Sequence, residues 1–199
     1  MDPKTWAIRD PQISARGAKY AIIEDSSSGA TDGKVRFYIG NKNYPTGTPF
    51  GASTFNGEEA KRKNIDFFPA PAQEEELSRF YEWALPYLAE HSERIFRKKM
   101  TIDQVADCLK NPITKKGDFK PQLRCKIDTS GMHAVRCWSC TGESCDLPAD
   151  LRGYKLIPRV LLSHLWCMQK ECGFVSLVTD LQLLESEQDT CPFSQKISE

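Results

Sequence analysis

A chain of 199 residues, 40% hydrophobic and 27% charged, is long enough to bury one core and too apolar to be disordered. Its 27 basic and 27 acidic residues cancel, which excludes whole-chain charge as the basis for binding a polyanion. No apolar run reaches the ~18 residues of a membrane span, and the first residues, MDPKTWAIRD, lack the apolar run of a signal peptide, so an intracellular protein without membrane association is expected.

In chain order, residues 1–16 show little periodicity and read as a flexible arm. Residues 20–24 (YAIIE) read as a strand, SSSGATDG as a turn, and residues 34–40 (KVRFYIG) as a strand with Val35, Phe37 and Ile39 on one face and Lys34 and Arg36 on the other. NKNYPTGTPFG is a loop, ASTF adds a brief strand, the polar run NGEEAKRKN follows, and residues 65–68 close this half. From Gln73 to about Phe96, Leu77, Phe80, Tyr81, Ala84, Leu85 and Leu88 recur at helical spacing. Glu74, Glu75 and Glu76 begin this helix, where its dipole favours acids, and Pro86 marks a kink or a break. Thr101 with Gln104 makes a capping box for a second short helix that ends before Asn111 and Pro112. The remainder reads as a meander of four strands over 122–128, 132–140, 154–166 and 174–184.

Strands, a helical insertion at about 73–110 and more strands define an α+β chain. The expected architecture is an OB-like, mainly antiparallel β-barrel over residues 17–184, followed by an acidic tail over 185–199 that carries the cluster ESEQD.

Charge is concentrated locally. Residues 94–126 hold ten bases against Asp103, Asp107 and Asp118, and the run continues from a helix end through the loop TKKGDFK into a strand. Bases in such a run can neutralise phosphates and release counterions, whereas the plainer reading is a solvated surface. The expected phosphate-binding set is Lys34, Arg36, Lys98, Lys99, Lys115, Lys116, Lys120, Arg124, Lys126 and Arg136. Unpaired bases also need exposed rings on which to stack, and Phe37, Tyr38, Phe50, Phe55, Phe119, Trp138 and Trp166 are the candidates. Alternation places Trp138 on one face with Arg136 and Cys140, as a stacking platform, while Trp166 ends the apolar run VLLSHLWCM and reads as core.

Residues 48–67 (TPFGASTFNGEEAKRKNIDF), FKPQLRCKI at 119–127, the pair CW, and YKLIPRVLLSHLWCMQKECGFVSLVTDL at 154–181 resemble a group of single-stranded-DNA-binding proteins from large DNA viruses of algae. The likeness spans roughly residues 18–184 and rests on apolar, aromatic and glycine positions. It implies an OB-like barrel that covers single strands without chemistry, in the nucleus or a viral replication compartment. Cys137, Cys140 and Cys145 stand outside that group's pattern.

Those three thiols, spaced C-x2-C-x4-C, have a spacing that a tetrahedral zinc could use, with Cys172, Cys125 or His133 as fourth ligand. Buried thiols are the alternative, and neither metal nor cofactor is expected. Catalysis finds little support. His91, His133 and His164 fall on different elements, there is no phosphate-binding Gly-Lys-Ser/Thr loop, and only a convergence of Asp103, Asp128, Asp146 and Asp180 would suggest a nuclease. The expected function is a non-catalytic protein that coats single-stranded DNA during replication, repair or recombination, with RNA as the alternative polymer and protein partners drawn to the acidic tail. The rival reading is a protein–protein adaptor or structural subunit, zinc-stabilised in one version.

Overall fold

The computed structural model describes residues 5–15, 17–27, 32–53, 61–115, 117–118 and 120–184. The acidic tail, Phe55, Lys116 and Phe119 lie outside the described residues. In chain order the elements are β1 (Trp6–Ile8), β2 (Gln12–Ile13), β3 (Lys19–Asp25), β4 (Arg36–Tyr38), β5 (Ala52–Ser53), β6 (Arg62–Phe67), α1 (Pro71–Glu90), α2 (Ser92–Phe96), α3 (Ile102–Cys108), β7 (Leu109–Lys110), β8 (Ile113–Thr114), β9 (Gln122–Asp128), β10 (Arg136–Trp138), β11 (Ser144–Cys145), β12 (Lys155–Cys167) and β13 (Cys172–Leu184). None of these helices is long and apolar enough to cross a membrane.

The molecule is mostly sheet, and the described strands follow an open mixed path in the order β1-β3-β12-β13-β9-β6-β5. Its centre is the antiparallel hairpin β12–β13, whose apolar alternation suits a strand buried on one face. The inner face gathers Ala21 and Ile23 from β3, Ile65 and Phe67 from β6, Leu123, Cys125 and Ile127 from β9, and Val160, Leu162 and Leu165 from β12. Across it lies α1, which buries Leu77, Phe80, Ala84 and Leu88, with the Phe80 ring 4.8 Å from that of Phe174.

Several expectations change. The supposed meander is not one: β9 and β10 do not pair with each other but succeed one another along β13, both parallel to it. Residues 129–135 carry the chain out and back, and Val135 N–H donates to the Asp128 carbonyl at 2.8 Å, so only three of the residues expected at 132–140 remain extended. Pro86 does not break the helix: α1 runs through it to Glu90, and the break comes at His91. Pro86 is exposed there, while the flanking Ala84 and Leu88 are buried, so packing on the inner face outweighs one missing backbone bond. Helix α3 starts at the expected capping box, with Gln104 N–H donating to Thr101 Oγ1 and Thr101 N–H donating to Gln104 Oε1.

The segment expected as a flexible arm is structured from Thr5 onward. β1 pairs antiparallel with β3, burying Trp6 and Ile8, and the Trp6 ring sits 5.2 Å from Phe80 and 6.0 Å from Trp83. Ile8 N–H donates to the Tyr87 hydroxyl at 3.1 Å. A strand of three residues is too short to show periodicity, which is why sequence alone reads it as an arm. Trp6→Ala should therefore cost about 3–5 kcal/mol of folding stability in denaturant unfolding, as for a large side chain removed from a core; a loss under ~1 kcal/mol would return the segment to arm status.

Candidate nucleic-acid interface

On the face of the sheet turned away from the α1-packed core, the register can be followed across seven strands. On the β6–β9 ladder three successive pairs point outward: Arg62 opposite Asp128, Asn64 opposite Lys126, and Asp66 opposite Arg124. Arg62 donates from Nε and Nη2 to the two Asp128 oxygens at 2.6 and 2.7 Å. Arg124 does the same to Asp66 at 2.9 and 3.0 Å. The carboxylates are buried while the Arg62 and Arg124 side chains remain 52% and 56% exposed, so each acid is the root of its pair and each guanidinium the solvent-facing tip. Lys126 has a neutral partner, the Asn64 side-chain oxygen.

A second row crosses β10, β13, β12 and β4 through the registers Arg136–Asp180, Asp180–Arg159 and Arg159–Tyr38. Asp180 is its keystone. It accepts from Arg136 at 2.7 Å, from Trp138 Nε1 at 3.2 Å and from Thr179 Oγ1 at 2.9 Å, with Arg159 Nη1 at 3.6 Å. Burial pushes the Asp180 carboxyl up, but these donors outweigh it and hold the group below the usual carboxylate range. Trp138 is thereby tied by its edge, and the Arg136 guanidinium lies 5.9 Å from the ring centroid. Arg159 Nε is shielded from solvent and has no hydrogen-bond partner. Tyr38, at the far end of the row, is exposed.

A third group occupies the other end of β12. Register shifts between Leu162 and His164, so Ser163 bulges out of the ladder and the alternation reverses. Leu165 faces the core, and His164 and Trp166 face outward, opposite Val175 and Gly173 of β13 and Ile22 and Tyr20 of β3. Trp166, expected in the core, is half-buried on the open face for this reason. Its ring lies on the Gly173 backbone, where an added Cβ would sit 2.9 Å from Cζ2, so only glycine lets the indole lie this close. The Tyr20 ring meets His164 edge-on at 5.6 Å.

The electrostatics of this face follow from its least compensated bases. Lys126 is held below the usual lysine range by burial and then by the positive charges of Arg124 and Arg62. His164 is pushed down by burial and by Arg62. Burial is the larger cause in both groups and the nearby guanidiniums the smaller, and the charge excess itself is seen in the rows: Arg62, Arg124, Lys126, Arg136 and Arg159 against Asp66, Asp128 and Asp180.

Of the residues expected from sequence, the structure brings Arg36, Arg124, Lys126, Arg136 and Trp138 onto this face; Arg36 is paired bidentately with Asp32, and Lys34 lies 3.9 Å from the same acid. Lys98 and Lys99 follow α2 elsewhere, and Lys115 and Lys120 are exposed around the turn at the end of the β8–β9 ladder, beside Gln122. Among the aromatic candidates Phe37 is buried and Tyr38 and Phe50 are exposed. Sequence reasoning missed Arg62, Arg159, Tyr20 and His164. One signal was available: RKNID at 62–66 and RCKID at 124–128 are complementary when run antiparallel, Arg against Asp at both ends. Cys137 and Cys145 face each other across β10–β11, and among the described residues no three His, Cys, Asp or Glu side chains converge as a metal site.

The fold is similar to that of a solved phage protein. The crystal structure of gp2.5, a single-stranded DNA binding protein encoded by bacteriophage T7, matches with a TM-score of 0.50 over 83% of this chain and 100% of that chain, at 15% identity. At that identity the likeness concerns the fold. No protein-family model matches the chain, and no curated protein matches it in sequence.

Two consequences can be measured. Because His164 binds its proton less readily folded than unfolded, the folded state carries fewer protons near pH 6, and the stability present above the ordinary histidine value of 6.5 is lost as pH falls through it. Denaturant midpoints should drop between pH 7.5 and 5.5 by more in the native chain than in His164→Gln; equal drops would remove His164 from the account. Asp180→Asn should cost about 1–3 kcal/mol of stability, since the amide cannot satisfy the cations that meet there, and should blue-shift or broaden Trp138 emission relative to the parent.

Proposed function

We propose that this chain binds single-stranded nucleic acid, DNA in the first instance, across the open face of its sheet, without catalysis. The observation that carries the reading is the charge count of this face: Arg62, Arg124, Lys126, Arg136 and Arg159 stand against Asp66, Asp128 and Asp180, an excess of two bases on a chain whose total charge is zero. The arginine tips are held at fixed spacing by buried acids, so little side-chain freedom is lost when phosphates dock. Trp138, Tyr38 and Trp166 offer rings at intervals along the same face, and flat rings capture bases that are not already stacked in a duplex. The fold shared with gp2.5, described as a single-stranded DNA binding protein, supports the same reading.

The sheet, with β1 and β2 joined to the part over residues 17–184, acts as an OB-like binding domain, and the acidic residues 185–199 serve protein partners. The chain coats and protects single strands in replication, repair or recombination, in a nucleus or a viral replication compartment, as a member of the group resembled in large DNA viruses of algae. Lys34, Lys98, Lys99, Lys115, Lys116 and Lys120 add phosphate contacts beyond the open face.

The test is fluorescence anisotropy with an oligo-dT strand and a duplex of equal length at several salt concentrations. Single strands should bind more tightly than duplex, with log affinity falling linearly in log salt. Lys126→Ala, which removes no partner of a buried acid, should flatten that slope by roughly 0.7, the contribution of one single-strand phosphate contact. Trp138→Ala should weaken binding by about 1–3 kcal/mol. Absence of binding to the homopolymer would sink the proposal and favour the adaptor reading.

A further inference from the structure

Beyond the open face, at the tip of the β12–β13 hairpin, lies a cavity of about 620 Å³, within the range of roughly 300–1,000 Å³ usual for small-molecule sites. Its floor and walls combine Phe96 and Met100 from the α2–α3 connection with Met168 from the hairpin turn, where Met168 N–H donates to the Glu171 carbonyl at 2.8 Å. Met168 is 74% exposed, an apolar side chain left at the mouth with nothing to cover it. Lys19, Lys98 and Lys170 also line the cavity, while the acid among the lining residues, Glu171, is bound by Lys110 at 2.6 Å and does not offset them. Burial pushes the Cys167 thiol up to about 11, so that wall is neutral. Trp166 belongs both to this lining and to the row it shares with Tyr20 on the open face, so the cavity continues the surface described above.

An apolar cleft walled by an aromatic ring and thioethers and rimmed with ammonium groups matches one ligand chemistry: a planar base joined to phosphates. A duplex would present its bases already stacked and paired, and an uncharged apolar ligand would leave the lysines without a role. We propose that this cavity takes one unstacked base of a bound single strand, with the flanking phosphates at Lys19 and Lys98, an inference that rests on the function proposed above. It gives the bound strand an anchored position at one end of its path, past Trp166.

The experiment uses the full chain and oligo-dT strands carrying a single 5-iododeoxyuridine at each position in turn. After irradiation, mass spectrometry should find Met168 or Phe96 crosslinked from one position of the strand. Met168→Glu, a change at an exposed side chain, places a carboxylate at the mouth and should weaken oligo-dT binding about tenfold, within the range for loss of one stacked base, with an unchanged thermal melt. Crosslinks confined to Trp138 or Tyr38, or Met168→Glu binding as tightly as the parent, would overturn the base pocket and leave single-strand binding standing. Failure of the parent chain to bind oligo-dT at all would overturn the proposed function and the pocket with it.

Discussion

The pairing of β12 with β13 is the constraint on which the rest depends. These two strands of 13 residues supply the ladder that β3, β4, β7, β9 and β10 join, so their register decides what every neighbour presents to either face. In a strand a shift of one residue exchanges the two faces completely. The ladder contains two such shifts, and both have consequences. The irregularity at Thr179 brings Asp180 into line with Arg159, and the bulge at Ser163 sends Leu165 inward and Trp166 outward. Without the second, the apolar run of β12 would put its indole in the core, and the open face would lose the ring that lies against Gly173.

Buried acids beneath exposed arginines look at first like an obstacle to binding a polyanion, since each carboxylate cancels a charge. Geometry argues otherwise. In both bidentate pairs the acid takes Nε and Nη2, and a guanidinium has five donors, so the Nη1 edge is left for another anion. Isolated surface ion pairs contribute little stability because two long side chains must be ordered in water. Here one partner is already fixed by burial, which lowers the entropy lost and leaves the guanidinium at a set height above the sheet. The acids trade net charge for orientation, and Lys126, with its amide partner, supplies charge that is not cancelled.

Much of the fold was legible in the sequence because its signals are local. Helical spacing found α1, the Thr101–Gln104 box found the start of α3, and apolar alternation found β9, β12 and β13 within a few residues. What failed depends on partners distant in the chain. β1 is defined by Asp25, Phe80 and Tyr87 rather than by its own three residues. The run AKRKN looks like a solvated loop until it is set antiparallel to RCKID. Trp166 was misplaced because a bulge leaves no spacing signature of its own. The open face divided the same way: Arg124, Lys126, Arg136 and Trp138 could be grouped from their own strands, whereas Arg62, Arg159 and His164 join that face only through the sheet.

A protein with no net charge has no long-range pull on a polyanion, so the proposed binding would rest on fields that act over a few ångströms. The depressed bases indicate how that works here. Lys126 and His164 hold their protons less firmly first because they are buried and then because guanidiniums lie near them, and an anion docking among Arg62, Arg124 and Lys126 would offset the second effect. Lysine titrates too far above neutrality for the change to be felt, but histidine does not. Binding of a phosphate chain should then draw a proton onto His164 between about pH 5 and 7, tightening the complex as the medium becomes more acidic, while the free protein loses stability over the same interval. Opposite pH trends for the free and bound forms, tied to one imidazole that touches Tyr20 and feels Arg62, would distinguish an anion seated on this face from one bound elsewhere.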